Sequence, residues 1–373
     1  MSESVLKTLQ KLISYWKSRE VCEKERLYFL YEDMGLSSGR PFSARLAADI
    51  GLGYLVFGLL EEDDVILKKS VQILRYVLDQ QHLSGAFEWN LPDPIAGPGN
   101  PVKDQVDLAT VLDVYYYFSA SGVMDGSLLQ DVQRSTRRAI GYLRQHAITV
   151  YPGVIKKRDY GPAYSSTVDV LNGDAMVVAA YTRASQLLDD SALLNEAKPY
   201  LHNLLDRFGA HYPGWWPYSE RLPDRADTSV QRPGISLFFQ AMILLYLEPY
   251  YRITHNQQLE SVMREGLLSL STATSAYGTI QYAYESRQEF INRPNVMLPA
   301  CMLALHDIMN CQPFISSRMK FITERLVTDD GIVYDDNGGQ TGELWRIWLM
   351  SDLALYLLYS TQFGRGGEVC MNQ

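Results

Sequence analysis

A chain of 373 residues with 47% hydrophobic and 21% charged residues has the composition of a soluble globular protein, not of a disordered or fibrous one. Its formal charge of −9 comes without basic runs, which argues against a nucleic-acid or anionic-membrane surface. The opening stretch, "MSESVLKTLQKLISYWKSRE", reads as an amphipathic helix rather than a leader, and no window approaches a membrane span of about 18 apolar residues. The expectation is a cytoplasmic protein with scattered, reduced thiols at Cys22, Cys301, Cys311 and Cys370.

Taken in order, the chain alternates two kinds of helical pattern. An N-terminal outer helix is expected within residues 1–30. An apolar helix follows over 44–60, then an amphipathic one over 65–81. The same pair recurs at 105–120 and 127–146, at 174–188 and 191–209, at 235–251 and 259–271, and at 296–309 and 316–327. A last apolar helix covers 343–359, and 364–373 reads as a flexible tail. A helix that is apolar nearly all round is buried, whereas one with a single apolar stripe is an outer wall. No run of alternating strands stands out.

Between each outer and inner helix lies a glycine-aromatic station: "GLSSGRPF" at Gly39, "HLSGAFEW" at Gly85, "TVYPGVIK" at Gly153, "HYPGWWPY" at Gly214, "SAYGTIQY" at Gly278 and "TDDGIVYD" at Gly331. Six stations in one chain make a repeat. No single αα-hairpin can bury its apolar helix alone, so closure of six hairpins completes the core. The expected fold is all-α, a single-domain (α/α)6 toroid over 1–373, with an inner ring of apolar helices and an outer ring of amphipathic ones.

The polar linkers after the stations lead into inner-helix N-termini, where free N–H groups and the helix dipole favour carboxylates and anionic ligands. Asp107, Asp174 and Asp227 lie at expected inner-helix starts and lead the candidates for acid/base roles, followed by Asp104, Asp169 and Glu343. Each taken singly also fits an ordinary helix cap. Candidates for holding substrate are Arg232, Arg293 and Arg346 for anions, with Tyr164, Asn172 and Glu220 as polar contacts. Trp89, Trp215, Trp216, Tyr218 and Trp345 could stack on sugar rings. Trp215, Trp216, Tyr218 and Glu220 fall in "HYPGWWPYSE", where the repeat accounts for the glycine, a proline and one aromatic but not for the rest.

"RYVLDQQHLSGAFEW" (75–89) resembles the Gln-x(2–5)-Gly-x-aromatic signature of toroid proteins, including triterpene cyclases and polysaccharide-active enzymes. Residues 171–220 are similar to the inner-helix, outer-helix, Gly-Trp-Pro-Tyr unit of uronate and capsule-polysaccharide toroid proteins. The likeness implies a glycosidase, lyase or epimerase acting on a small-molecule or oligosaccharide substrate, plausibly an anionic or uronate-containing glycan. Glycoside hydrolysis needs one protonated and one ionised carboxyl. A uronate lyase or epimerase needs a base instead, for which Tyr164, His211 and Arg232 are a candidate team. A terpenoid cyclase is the rival reading, although "EEDD" (61–64) and "YDDNGG" (334–339) lack the Asp-x-Asp-Asp and Asp-Asp-x-x-Asp patterns. A non-catalytic glycan- or partner-binding toroid is the third. No HExxH, phosphate loop or dinucleotide fingerprint occurs, so no metal and no cofactor is expected.

Overall fold

A computed structural model describes residues 2–31, 39–90, 102–147, 153–155, 158–159, 168–217, 219–221, 237–272, 297–334 and 338–361. Tyr164, Tyr218, Asp227, Arg232, Gly278, Arg293, Cys370 and the expected tail lie outside the described residues.

Among the described residues twelve helices make two concentric rings. The outer ring holds α1 (Ser2–Lys17), α3 (Asp64–Asp79), α5 (Gly126–His146), α7 (Leu193–Arg207), α9 (Gln257–Thr272) and α11 (Gln312–Phe321), the last continued by a π-helical turn over Ile322–Leu326. The inner ring holds α2 (Ala44–Leu60), α4 (Gln105–Ser121), α6 (Leu171–Leu188), α8 (Leu237–Thr254), α10 (Met297–Ala304) and α12 (Glu343–Ser360). Successive inner helices pack side by side, and α12 returns to pack against α2, which closes the ring. α6 shows why these sequences must sit inside: from Leu171 to Ser185 every residue is buried. An element buried on all sides gains its stability from packing rather than from amphipathic exposure.

Short connections at one end and long linkers at the other set the polarity of the ring. The tight turns follow the inner helices, and local chemistry fixes them. Gly122 closes α4 in the left-handed region at φ 73°. The Asp63 carboxylate accepts from the Val65 and Ile66 amides at 2.9 and 3.0 Å to start α3, and Asp125 accepts from the Leu128 amide at 2.8 Å to start α5. All inner-helix N-termini therefore face the linker end. Short strands lace that end: β3 (Glu88–Trp89), β4 (Val102–Asp104) and β5 (Arg158–Asp159) form one antiparallel sheet, and β6 (Val168–Val170) pairs antiparallel with β7 (Ser219–Arg221).

The repeat has a steric basis. Gly39, Gly85, Gly153, Gly214 and Gly331 all have positive φ, between 78° and 94°. At Gly85 a Cβ would stand 2.1 Å from the Arg138 carbonyl oxygen of α5, and at Gly153 one would stand 2.2 Å from the Pro199 carbonyl oxygen of α7. Each of these stations thus presses its backbone against the next outer helix, which only glycine permits. Gly331 does the same against Lys11 and Tyr15 of α1, so the sixth station docks on the first helix.

Three sequence expectations need correction. The N-terminal helix ends at Lys17, and residues up to 30 form a hairpin, β1 (Glu20–Glu23) with β2 (Arg26–Phe29), because Lys24 turns left-handed and Leu27 and Phe29 alternate into the core. α10 stops at Ala304, so Cys301 and His306 do not share a helix. The described residues hold seven short strands of two to four residues each, too brief to show an alternating pattern in sequence.

Candidate functional site

A helix buried on all faces has no apolar use for a charged side chain, yet five of the inner helices carry one in mid-helix: Asp49 in α2, Asp113 in α4, Arg183 in α6, Glu248 in α8 and Asp352 in α12. Burying an ion is expensive unless it is paired or loses its charge. Here they converge on the axis of the ring, around a narrow space of ≈ 30 Å³ lined by these groups except Glu248, together with Arg45, Thr110, Tyr246, Trp348 and Ser351. That volume accommodates water.

The upper end of this shaft lies near the inner-helix N-termini. Arg45, in the first turn of α2, places a guanidinium nitrogen 3.7 Å from Asp107 and its plane 5.4 Å from the Trp348 ring. Trp348 meets Trp345 edge-on, with centroids 4.7 Å apart, and Phe238 of α8 packs against both. Burial opposes the charge on Arg45, but the carboxylates of Asp107 and Asp49 outweigh it and raise the guanidinium above its ordinary value. The mouth is therefore a fixed cation beside a carboxylate, walled by aromatic rings.

One helical turn below Arg45 stands a pair of carboxyls from neighbouring helices, Asp49 and Asp352, each 4% exposed. Asp49 accepts a hydrogen bond from Ser351 at 2.9 Å, and its second oxygen is buried with no hydrogen-bond partner among the described residues. Burial pushes Asp49 up to about 6, with Arg45 and Ser351 pulling the other way and Asp113 adding to the rise. Asp352 rises well above the carboxylate range, first through burial and then through the like charge of Asp49, against the pull of Arg45. Two carboxyls in one dry site cannot both ionise cheaply, so their titrations separate. Burial thus biases both carboxyls toward the protonated form, and each opposes the charge on the other.

Below them the network turns structural. Arg183 donates to Asp113 at 2.6 Å and to Tyr117 at 3.2 Å, and stacks 4.0 Å above the Tyr116 ring. Tyr117 meets Tyr359 at 3.2 Å, Tyr359 donates to Glu248 at 3.2 Å, and Arg252 ties Glu248 to Asp307 with bonds of 2.9 and 2.6 Å. Every buried charge there has a partner, which is the condition for tolerating it.

The sequence-chosen residues are dispersed around this site. Asp107 is fully buried beside Arg45, and Trp345 belongs to the aromatic wall. Asp104 caps α4, accepting from the Val106 amide at 2.7 Å, and Glu343 is buried at the start of α12. Asp174 faces outward, accepting from Asn203 of α7 at 3.0 Å. Asn172 is buried and directs its amide at the Met242 sulfur of α8, 3.3 Å away. Arg346 also turns outward, onto the Tyr15 ring and hydroxyl of α1, the latter at 2.5 Å. Trp89 is buried in β3, and Trp216 is buried with its indole N–H donating to the Leu204 carbonyl at 2.8 Å, while Trp215 is half-buried beside it. Asp169 and Glu220 stand opposite each other across the β6–β7 pair at the linker end. Among the described residues no three His, Cys, Asp or Glu are grouped to hold a metal ion, and no helix is long and apolar enough to cross a membrane. None of the six histidines lines the shaft.

Solved structures settle the architecture. A cellobiose 2-epimerase from Bacillus thermoamylovorans superposes with a TM-score of 0.72 at 9% identity, over 97% of this chain and 100% of that one. The chain is an (α/α)6 toroid. A D-mannose isomerase is similar at TM-score 0.69 and 12% identity, with 95% and 96% of the two chains covered. An unsaturated glucuronyl hydrolase specific for heparin gives 0.68 at 11% identity, covering 97% and 98%. No family matches this toroid by sequence, and no curated protein does.

Proposed function

We propose that this toroid is a carbohydrate-active enzyme that works on an anionic or uronate-containing glycan by carboxylate acid/base chemistry in the axial shaft that opens at the inner-helix N-termini. The observation that carries the reading is the Asp49–Asp352 pair beneath Arg45, Asp107 and the Trp345–Trp348 wall. Two neighbouring carboxyls whose titrations are driven apart by burial and mutual repulsion match the division of labour in glycoside chemistry. The tryptophans offer apolar faces to a sugar ring, and the Arg45 fork suits a substrate carboxylate. In this reading Asp352 supplies a proton and Asp49 receives one, with Asp107 keeping Arg45 charged and aimed. The similar folds of a mannose isomerase, a cellobiose epimerase and a glucuronyl hydrolase support sugar chemistry as the class. A shaft without histidine favours carboxylates over imidazole as the proton carrier.

The test is turnover of a panel of neutral and uronate-bearing oligosaccharides, followed by reducing-end analysis and NMR. Asp49→Asn and Asp352→Asn are expected to lower kcat by about a hundredfold or more with the fold intact. Arg45→Ala is expected to raise KM mainly for the acidic substrates. Full turnover in both Asn variants would remove the pair from catalysis. Binding of glycans without turnover by the native protein would favour the non-catalytic alternative.

A further inference from the structure

The outer wall carries a second concave site that the proposed reaction does not use. A cleft of ≈ 560 Å³ opens between α3 and α5, beneath the β1–β2 hairpin. Its size falls within the range of small-molecule sites. Five arginines line it, Arg26 and Arg75 on one side and Arg134, Arg137 and Arg138 on α5, against the carboxyls of Glu25, Asp79 and Asp131. The cleft is thus a basic spot on a chain whose formal charge is −9.

Internal pairing leaves much of this charge unspent. Arg26 pairs with Asp79 and Arg134 with Asp131, while among the described residues Arg75 reaches only Asp125, at 3.8 Å. Arg137 and Arg138 are exposed and form no ion pair among the described residues. Arg134 and Arg138 are also spaced i, i+4 on one helix face, where like charges cost about 0.2–0.5 kcal/mol. The fold gains nothing from that spacing. Guanidinium forks rather than lysines on both walls suit flat or tetrahedral oxyanions held by two parallel hydrogen bonds.

We infer that this cleft binds an oligoanion presenting at least two carboxylate, sulfate or phosphate groups, bridging Arg75 and the Arg137–Arg138 pair. The inference is independent of the chemistry proposed at the mouth.

Calorimetric titration of the full-length protein tests it, using oligogalacturonate, a heparin-derived tetrasaccharide and inorganic triphosphate, with a neutral malto-oligosaccharide as control. At least one anionic probe is expected to bind, more weakly as salt rises. The double variant Arg137→Glu/Arg138→Glu is expected to lose about tenfold or more in affinity. Both positions are exposed, and an unchanged circular dichroism spectrum and melting temperature verify the fold. Arg45→Ala, which removes the anion contact at the mouth, is expected to leave the affinity lost in the double variant in place, which separates the cleft from the mouth. Binding of the sugar probes but not triphosphate assigns an acidic glycan; the reverse assigns a phosphorylated ligand. No binding by any anionic probe, equal binding of the neutral sugar, or undiminished affinity in the double variant would overturn the inference.

Discussion

Replacing Asp49 by Asn asks directly whether the axial carboxyl pair is held under electrostatic cost. Asp49 is completely enclosed, faces Asp352 of α12, Asp113 of α4 and Arg45 of its own helix, and accepts one hydrogen bond from Ser351. Its acidity shifts from the ordinary 3.8 to about 6 in the folded protein. At about 1.4 kcal/mol per pH unit, the difference amounts to about 3 kcal/mol. Below pH 3.8 both folded and unfolded chains hold the proton, and the carboxyl is neutral where it is buried. As pH climbs toward 6 the unfolded chain gives up the proton while the folded chain retains it, so stability falls. Above 6 the loss is complete. Asn keeps the size of the side chain and can still accept from Ser351 without charging. The stability difference, variant minus native, is therefore expected to grow by about 3 kcal/mol between about pH 4 and about pH 7. Urea denaturation at a series of pH values measures it, and groups shared by both proteins cancel. Removal of the like charge also brings Asp352 down, which acts in the same direction. Parallel curves for the two proteins, within about 0.5 kcal/mol across that window, would refute the reasoning. A variant more stable at neutral pH and inactive would be the familiar exchange of stability for function.

Other outcomes follow from the same geometry. Gly85→Ala and Gly153→Ala force a Cβ against a carbonyl oxygen at 2.1 and 2.2 Å as well as a left-handed backbone, and are expected to cost about 3 kcal/mol or more in thermal or urea denaturation. Gly39→Ala meets open space at the same φ and is expected to cost about 1 kcal/mol; equal losses at Gly39 and Gly85 would show that the close approach to α5 carries no weight. Arg183→Ala leaves Asp113 buried without its 2.6 Å partner and is expected to destabilise by about 3–5 kcal/mol, whereas a loss under about 1 kcal/mol would mean that water replaces the guanidinium.

The station glycines were legible because their demand is local. A backbone that turns left-handed while touching the next helix admits one residue type, and that type recurs at Gly85, Gly153, Gly214 and Gly331, with Gly39 sharing the left-handed turn alone. The short strands were not legible, since two or three residues cannot display a period of two. Candidate site residues illustrate the opposite case. Asp107 is the third residue of α4 and Asp174 the fourth of α6, and that offset of one residue turns the first toward Arg45 at the axis and the second toward Asn203 in the outer ring. Arg346 looked like a rim cation and instead clasps Tyr15. The signal that did exist lay elsewhere: a charge in the middle of five of the six apolar runs, as in "AADIGLGYL", "TVLDVYYYF" and "LMSDLALYL".

By itself, then, the sequence determined the alternation of buried and amphipathic helices, the six-fold repeat and the closed all-α ring, because hydrophobic periodicity and glycine sterics act over a few neighbouring residues. Only the tertiary structure decided which way each polar side chain points. A rotation of about 100° per residue separates a helix face that meets the axis from one that meets the outer wall. That rotation brings Asp49 and Asp352, some three hundred positions apart in the chain, into one desolvated pair with shared titration.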